Sequence, residues 1–139
     1  MKKLLFSIFA LILPLAIFAE GWDDALYKQI EQNIKAPTFN EKIYKPAIKT
    51  TYSAAKNQKA INKAIEKASK NGGGKVVIPA GTYMTGAITL LSDVNLVIEK
   101  DAVLKFAFEP ELYPLVYTRY EGLDVYNYSP CIYSNGAKN

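Results

Sequence analysis

A chain of 139 residues has room for one domain and, once an export signal is removed, for only a small core. Its 17 basic and 13 acidic residues leave a net charge of +4, but the lysines are scattered without a basic run, so the electrostatic footprint of a nucleic-acid binder is missing. The single cysteine, Cys131, excludes an intrachain disulfide or a cysteine-rich metal site, and the lack of any histidine excludes a histidine base, triad or metal ligand.

Met1-Lys2-Lys3 is a basic start, Leu4 to Phe18 is an apolar run interrupted by Pro14, and Ala19 supplies a small residue before Glu20. Residues 1–19 therefore read as a signal peptide cleaved after Ala19. The alternative, an uncleaved anchor, would need ~20 apolar residues to span a bilayer, and this run is shorter. The mature chain is expected to be secreted or periplasmic, off the membrane and close to neutral.

Trp22, Leu26, Ile30 and Ile34 form an i, i+4 row with Asp23 and Asp24 in the first turn, where carboxylates complement the helix dipole. The pattern predicts a short amphipathic helix ending before Pro37. Ala36 to Ala55 holds Pro37, Pro46 and no steady period, so residues 20–55 read as that helix followed by an irregular linker. From Asn57 the pattern tightens. Ala60, Ile61, Ala64, Ile65 and Ala68 line one face, lysines crowd the other, and Gly72 stands as a stop, predicting a helix over Asn57–Lys70. Its small and branched apolar face suits close packing on the end of a sheet, whose open edge it would shield. Cys131 is expected to be a buried, inert thiol.

Val76–Ile78, Ala87–Leu90, Val94–Ile98 and Ala102–Phe106 are β-rich runs separated by turn residues. Their spacing fits a sandwich or barrel as well as a stack of parallel coils. The absence of Asn-Gly or Asp-Gly between them speaks against a hairpin meander, whereas coils need no such turns.

Three glycines after the helix, then Val76-Val77-Ile78-Pro79-Ala80-Gly81-Thr82-Tyr83, then Gly86-Ala87-Ile88-Thr89-Leu90-Leu91-Ser92 and Asn95-Leu96, resemble the N-terminal portion of glycoside hydrolase family 28, the polygalacturonases. The resemblance runs from about Ile34 to Asn139. It implies an all-β fold, the start of a right-handed parallel β-helix with N-terminal amphipathic helices capping the first coil, and places the cap helix and first coils in residues 56–139. It further implies a secreted hydrolase acting on α-linked galacturonate, a pectic polysaccharide, by inversion and without a cofactor. The family's Asn-Thr-Asp, Gly-His-Gly and Arg-Ile-Lys motifs are absent. Asp23-Asp24 matches the family's Asp-Asp string only by accident, so no catalytic residue and no metal ligand is assigned, and the fragment alone is expected to be inactive. Two departures stand out: Tyr120 replaces a tryptophan, and Pro46 to Ala55 replaces a connector rich in glycine and aspartate.

Tyr113 to Tyr133 holds six of the ten tyrosines and the sole arginine, Arg119. Thr118-Arg119-Tyr120-Glu121-Gly122 and Tyr126-Asn127-Tyr128-Ser129-Pro130 resemble family segments, and a planar guanidinium among aromatic faces suits a uronate. Arg119, Tyr120, Glu121, Tyr126 and Tyr128 are therefore the candidate substrate-binding residues. The competing reading has Arg119 paired with Glu121 or a backbone carbonyl to fix a loop, and the tyrosines packed between coils. Glu109, Glu111, Glu121 and Asp124 read as solvated loop charge. Two further functions remain open on sequence grounds: a non-catalytic carbohydrate-binding or structural β-helix module, and a pectate-lyase-like enzyme using a calcium-assisted base.

Overall fold

The computed structural model describes residues 24–138, so the expected signal peptide at 1–19, with Trp22 and Asp23, lies outside the described residues. The chain divides after Ala36 into two units. In the first, α1 (Asp24–Asn33) forms on the i, i+4 row, with Asp24 in its first turn and none of its residues buried. No helix among the described residues is long and apolar enough to cross a membrane.

The second unit is built around α2 (Ala54–Lys70). The helix starts earlier than the apolar pattern alone suggests, because Ser53 is its N-cap and accepts a hydrogen bond from Lys56 N. It stops where the sequence places the stop: Gly72 and Gly73 have φ of 80° and 90°, and Gly73 N donates to Ala68 O. Ile61, Ala64, Ile65 and Ala68 are buried, as the pattern requires, and join the core.

The segment expected to be an irregular linker contributes a strand. β1 (Ile43–Tyr44) pairs parallel with β2 (Gly74–Ile78), Lys75 N donates to Lys42 O, and the Lys75 ammonium lies 2.6 Å from Glu41. Tyr44 is buried in the core and Pro46 is buried just beyond it. Two strand residues flanked by lysines carry no period, so only the pairing partner reveals them. Within the second unit, α2 packs on the first turn of chain and β1 pairs along β2.

β2 is followed by β3 (Gly81–Thr85), β4 (Ile88–Leu90), β5 (Val94–Ile98) and β6 (Ala102–Phe106), and β9 (Ile132–Ser134) closes the series. Every pairing among them is parallel: β2 with β5, β3 with β6, β4 with β9. No hairpin joins β4 to β5, so the meander is ruled out in favour of two stacked turns of chain. Successive turns stack in register: Val76 beside Leu96, Tyr83 beside Leu104, Thr85 beside Phe106. Val76, Ile78, Ile88 and Ile61 are fully buried, while Leu96, Leu104 and Phe106 of the second turn are only partly so. The first turn is sandwiched between α2 and the second; the second has no further layer among the described residues. Lys138 extends the stacking, since Asp93 N donates to Lys138 O much as Gly74 N donates to Asp93 O.

α2 does more than cover apolar surface. Asn62 Nδ2 donates to Ala87 O and its Oδ1 accepts from Thr89 N, so one amide satisfies the edge of β4 as a neighbouring strand would. Gln58 Nε2 donates to Ala87 O and Leu112 O, and Asn57 reaches Lys49 and Met84. A strand edge that would otherwise invite pairing with another chain is closed by side-chain amides.

Candidate functional site

Spacing along the chain locates the candidate site. Stacked partners are 20 residues apart at Gly74 and Val94 and 21 apart at Gly81 and Ala102, but 44 apart at Ile88 and Ile132. The excess is an insertion between β6 and β9, and it contains β7 (Leu115–Tyr120) and β8 (Leu123–Tyr128), paired antiparallel in a hairpin. The two residues between them, Glu121 and Gly122, have φ of 47° and 86°, the conformation of a type I′ turn, which matches the right-handed twist of a two-stranded ribbon. Sequence reasoning treated this stretch as a loop. The signal was weak: a two-residue spacer that ends in glycine but is not of the Asn-Gly or Asp-Gly type.

Register fixes which side chains share a face, since residues directly opposite in an antiparallel pair point the same way. One face carries Leu115 opposite Tyr128, Tyr117 opposite Tyr126, and Arg119 opposite Asp124. The other carries Val116 opposite Asn127, Thr118 opposite Val125, and Tyr120 opposite Leu123. Of the candidates, Arg119, Tyr126 and Tyr128 come together; Tyr120 lies on the reverse face and Glu121 sits in the turn. Tyr117, which the sequence did not single out, joins the first group, its ring 5.4 Å from that of Tyr126 and inclined by 59°. All four tyrosines of the hairpin are more than half exposed, so they do not pack between coils.

Arg119 Nε and Nη2 both donate to Gly122 O, at 3.2 and 3.1 Å. The guanidinium thus braces the turn, as one of the sequence readings foresaw, and no ion pair ties it to Glu121 or Asp124 among the described residues. Two of its five N–H groups are engaged, and the residue is exposed.

At the foot of the hairpin, where Ser129 N donates to Pro114 O, an apolar cavity of ≈ 510 Å³ opens between Phe106–Pro110 and Tyr128–Cys131. Burial raises the pKa of the Tyr113 phenol, with the Cys131 thiol and Glu109 adding to the effect, and its hydroxyl donates to Ala107 O at 2.8 Å. Cys131 is exposed, which corrects the buried thiol expected from composition: the insertion's return to β9 carries it outward. Glu109, Glu111, Glu121 and Asp124 are all exposed, consistent with solvated charge. No cluster of potential metal ligands occurs among the described residues. The hairpin can stack against ring faces and hold a carboxylate.

Three solved structures resemble this chain. An exopolygalacturonase from Thermotoga maritima matches 81% of the chain at 29% identity with a TM-score of 0.71, and the match spans 26% of that enzyme. The family 28 exopolygalacturonase of Yersinia enterocolitica matches 72% at 28% identity, TM-score 0.58, over 18% of its length. The chain has a family 28-like fold. A glycosyl hydrolase from Parabacteroides merdae matches 67% of the chain at 27% identity with a TM-score of 0.51, across 37% of that protein. The chain therefore spans about a quarter of the Thermotoga enzyme and a smaller share of the Yersinia one. No protein-family model matches the chain, and no curated protein does. With its family 28-like fold the chain resembles part of a glycoside hydrolase.

Proposed function

We propose that this chain is the exported N-terminal portion of a polygalacturonase-like glycoside hydrolase, wound as a right-handed parallel β-helix, that cleaves α-linked galacturonate chains by inversion. The observation that carries the proposal is the in-register pair of parallel turns under a cap helix, matched across 81% of the chain by an exopolygalacturonase. Inverting hydrolysis needs an acid and a base carboxylate about 6.5–9.5 Å apart, on neighbouring coils. Those carboxylates are assigned to coils following residue 139. The purified 139-residue chain is expected to release no reducing ends from polygalacturonate, while a protein expressed from an extended reading frame carrying Asn-Thr-Asp, paired aspartates and Gly-His-Gly does so. Release by the 139-residue chain, abolished by Glu109→Gln or Glu121→Gln, overturns the assignment.

In this reading the hairpin borders the sugar cleft. Arg119, braced on Gly122 O, presents its free N–H groups to a uronate carboxylate, with Tyr126 and Tyr128 on the same face; Tyr120, on the reverse face, and Glu121, in the turn, stand outside this contact. Arg119→Ala is expected to weaken binding of a galacturonate oligomer about ten- to a hundredfold, with neutral sugar chains little affected. A lowered melting temperature with unchanged affinity makes Arg119 a turn brace alone.

A further inference from the structure

The reverse turn at Glu121-Gly122 and the six register pairs set the hairpin, and a two-stranded ribbon has no interior in which to bury its aromatic residues. Yet Tyr117, Tyr126 and Tyr128 are 61%, 74% and 54% exposed and crowd one face in two successive rows. Exposed rings gathered in this way mark a contact surface. The tilted contact between Tyr117 and Tyr126 fixes each ring against the other, so little side-chain freedom is lost when a ligand lies on them.

Chemistry at the end of this face selects the occupant. The row beyond Tyr117 and Tyr126 is Arg119 and Asp124, and Arg119 is the hairpin's only cation. Asp124 keeps the face near neutral overall, which favours one directed carboxylate contact over general attraction of anions. A pyranose ring offers a C–H face to tyrosine and hydroxyls to its phenol, and a uronate adds the carboxylate that Arg119 suits. We infer that Tyr117, with Tyr126 and Tyr128, forms a stacking platform for the sugar rings of a galacturonate oligosaccharide, oriented by Arg119 at its outer end. Tyr120 and Leu123, on the reverse face, take no part. The inference rests on the hydrolase reading for its choice of sugar.

The test titrates the 139-residue chain with trigalacturonate and, separately, with maltotriose, using urea unfolding to verify that each variant keeps the parent's stability. Tyr117→Ala is expected to weaken trigalacturonate binding about tenfold, Tyr117→Phe to keep it within about twofold, and Tyr120→Ala to keep it within about twofold. Trigalacturonate binding that ignores Tyr117→Ala, or that falls equally with Tyr120→Ala, overturns the platform and leaves the hydrolase reading standing. Tyr117-dependent binding of maltotriose with none of trigalacturonate supports a stacking platform and overturns the galacturonate assignment. Absence of sugar binding, whether or not sedimentation shows a dimer that Tyr117→Ala abolishes, overturns the platform; a dimer makes the face a contact between copies.

Discussion

Gly73→Ala is expected to destabilise the coiled unit by about 3–5 kcal/mol, whereas Gly72→Ala, one residue earlier, costs about 1–2 kcal/mol. Both glycines hold positive φ, 80° at Gly72 and 90° at Gly73, so alanine is strained at either position. The difference lies in what a methyl group meets. At Gly72 nothing lies within 4 Å, while at Gly73 it would strike the carbonyl oxygen of Asp93 and sit 2.8 Å from Asp93 Cβ. Asp93 cannot retreat freely, because its carbonyl accepts the hydrogen bond from Gly74 N that opens the pairing of β2 with β5. The strain therefore reaches the contact between the two turns of chain. Urea unfolding of the two variants beside the parent measures the gap; equal losses at both positions mean that the turns are not held this closely together.

Asn57→Ala is the second large effect, at about 3 kcal/mol or more. Asn57 is completely buried. Its Nδ2 donates to Lys49 O and Met84 O, both at 3.0 Å, and its Oδ1 accepts from Lys49 N at 3.1 Å. Truncation leaves three partly buried backbone groups without the amide, where α2, the segment before it and β3 meet, and each such group costs roughly 1 kcal/mol, toward the low end of the about 1–3 kcal/mol for a fully buried one. Asn40→Ala, which removes an exposed bond to Lys42 N, is expected to change stability by less than about 0.5 kcal/mol. A loss below about 1 kcal/mol at Asn57 indicates that water takes over the amide's partners and that the cap is held by its apolar face alone.

These two sites differ in how visible they are in the residues. The glycines after Lys70 announce a stop and a reversal, and Ile61, Ala64, Ile65 and Ala68 announce a packed face, since helix period and turn conformation act over a few neighbouring residues. Asn57 announces nothing: on the helical pattern it is one more polar residue at the N-terminal end. Its role exists only because Lys49 and Met84 arrive beside it, the latter 27 residues away. Gln58 and Asn62 are similar cases, reading as solvated polar positions until the edge at Ala87 and Thr89 is set against them.

The candidate site divides along the same line. Tyrosine enrichment and a lone arginine drew attention to residues 113–133, but on sequence the stretch reads as a loop, because Glu-Gly is not one of the strong two-residue hairpin signals. Which tyrosines act together was not legible, because face membership follows from a register one residue wide: Tyr120 and Arg119 are adjacent in sequence and opposite in space, while Tyr117 and Tyr126 are nine apart and in contact.

Local chemistry along the chain settled the cap helix, its stop and the runs that form β2, β4, β5 and β6, because each depends on period, propensity and turn conformation within a short window; β3 (Gly81–Thr85) is not among those runs and is set by its pairing with β6. The parallel pairing of those runs, the strand at Ile43–Tyr44, the pairing of Ile88 with Ile132 across an inserted hairpin, and the amide-closed edge of β4 were decided by folding in three dimensions. Each joins segments whose partner lies tens of residues away, and a strand two or three residues long gains its hydrogen bonds and its burial only when that partner is in place.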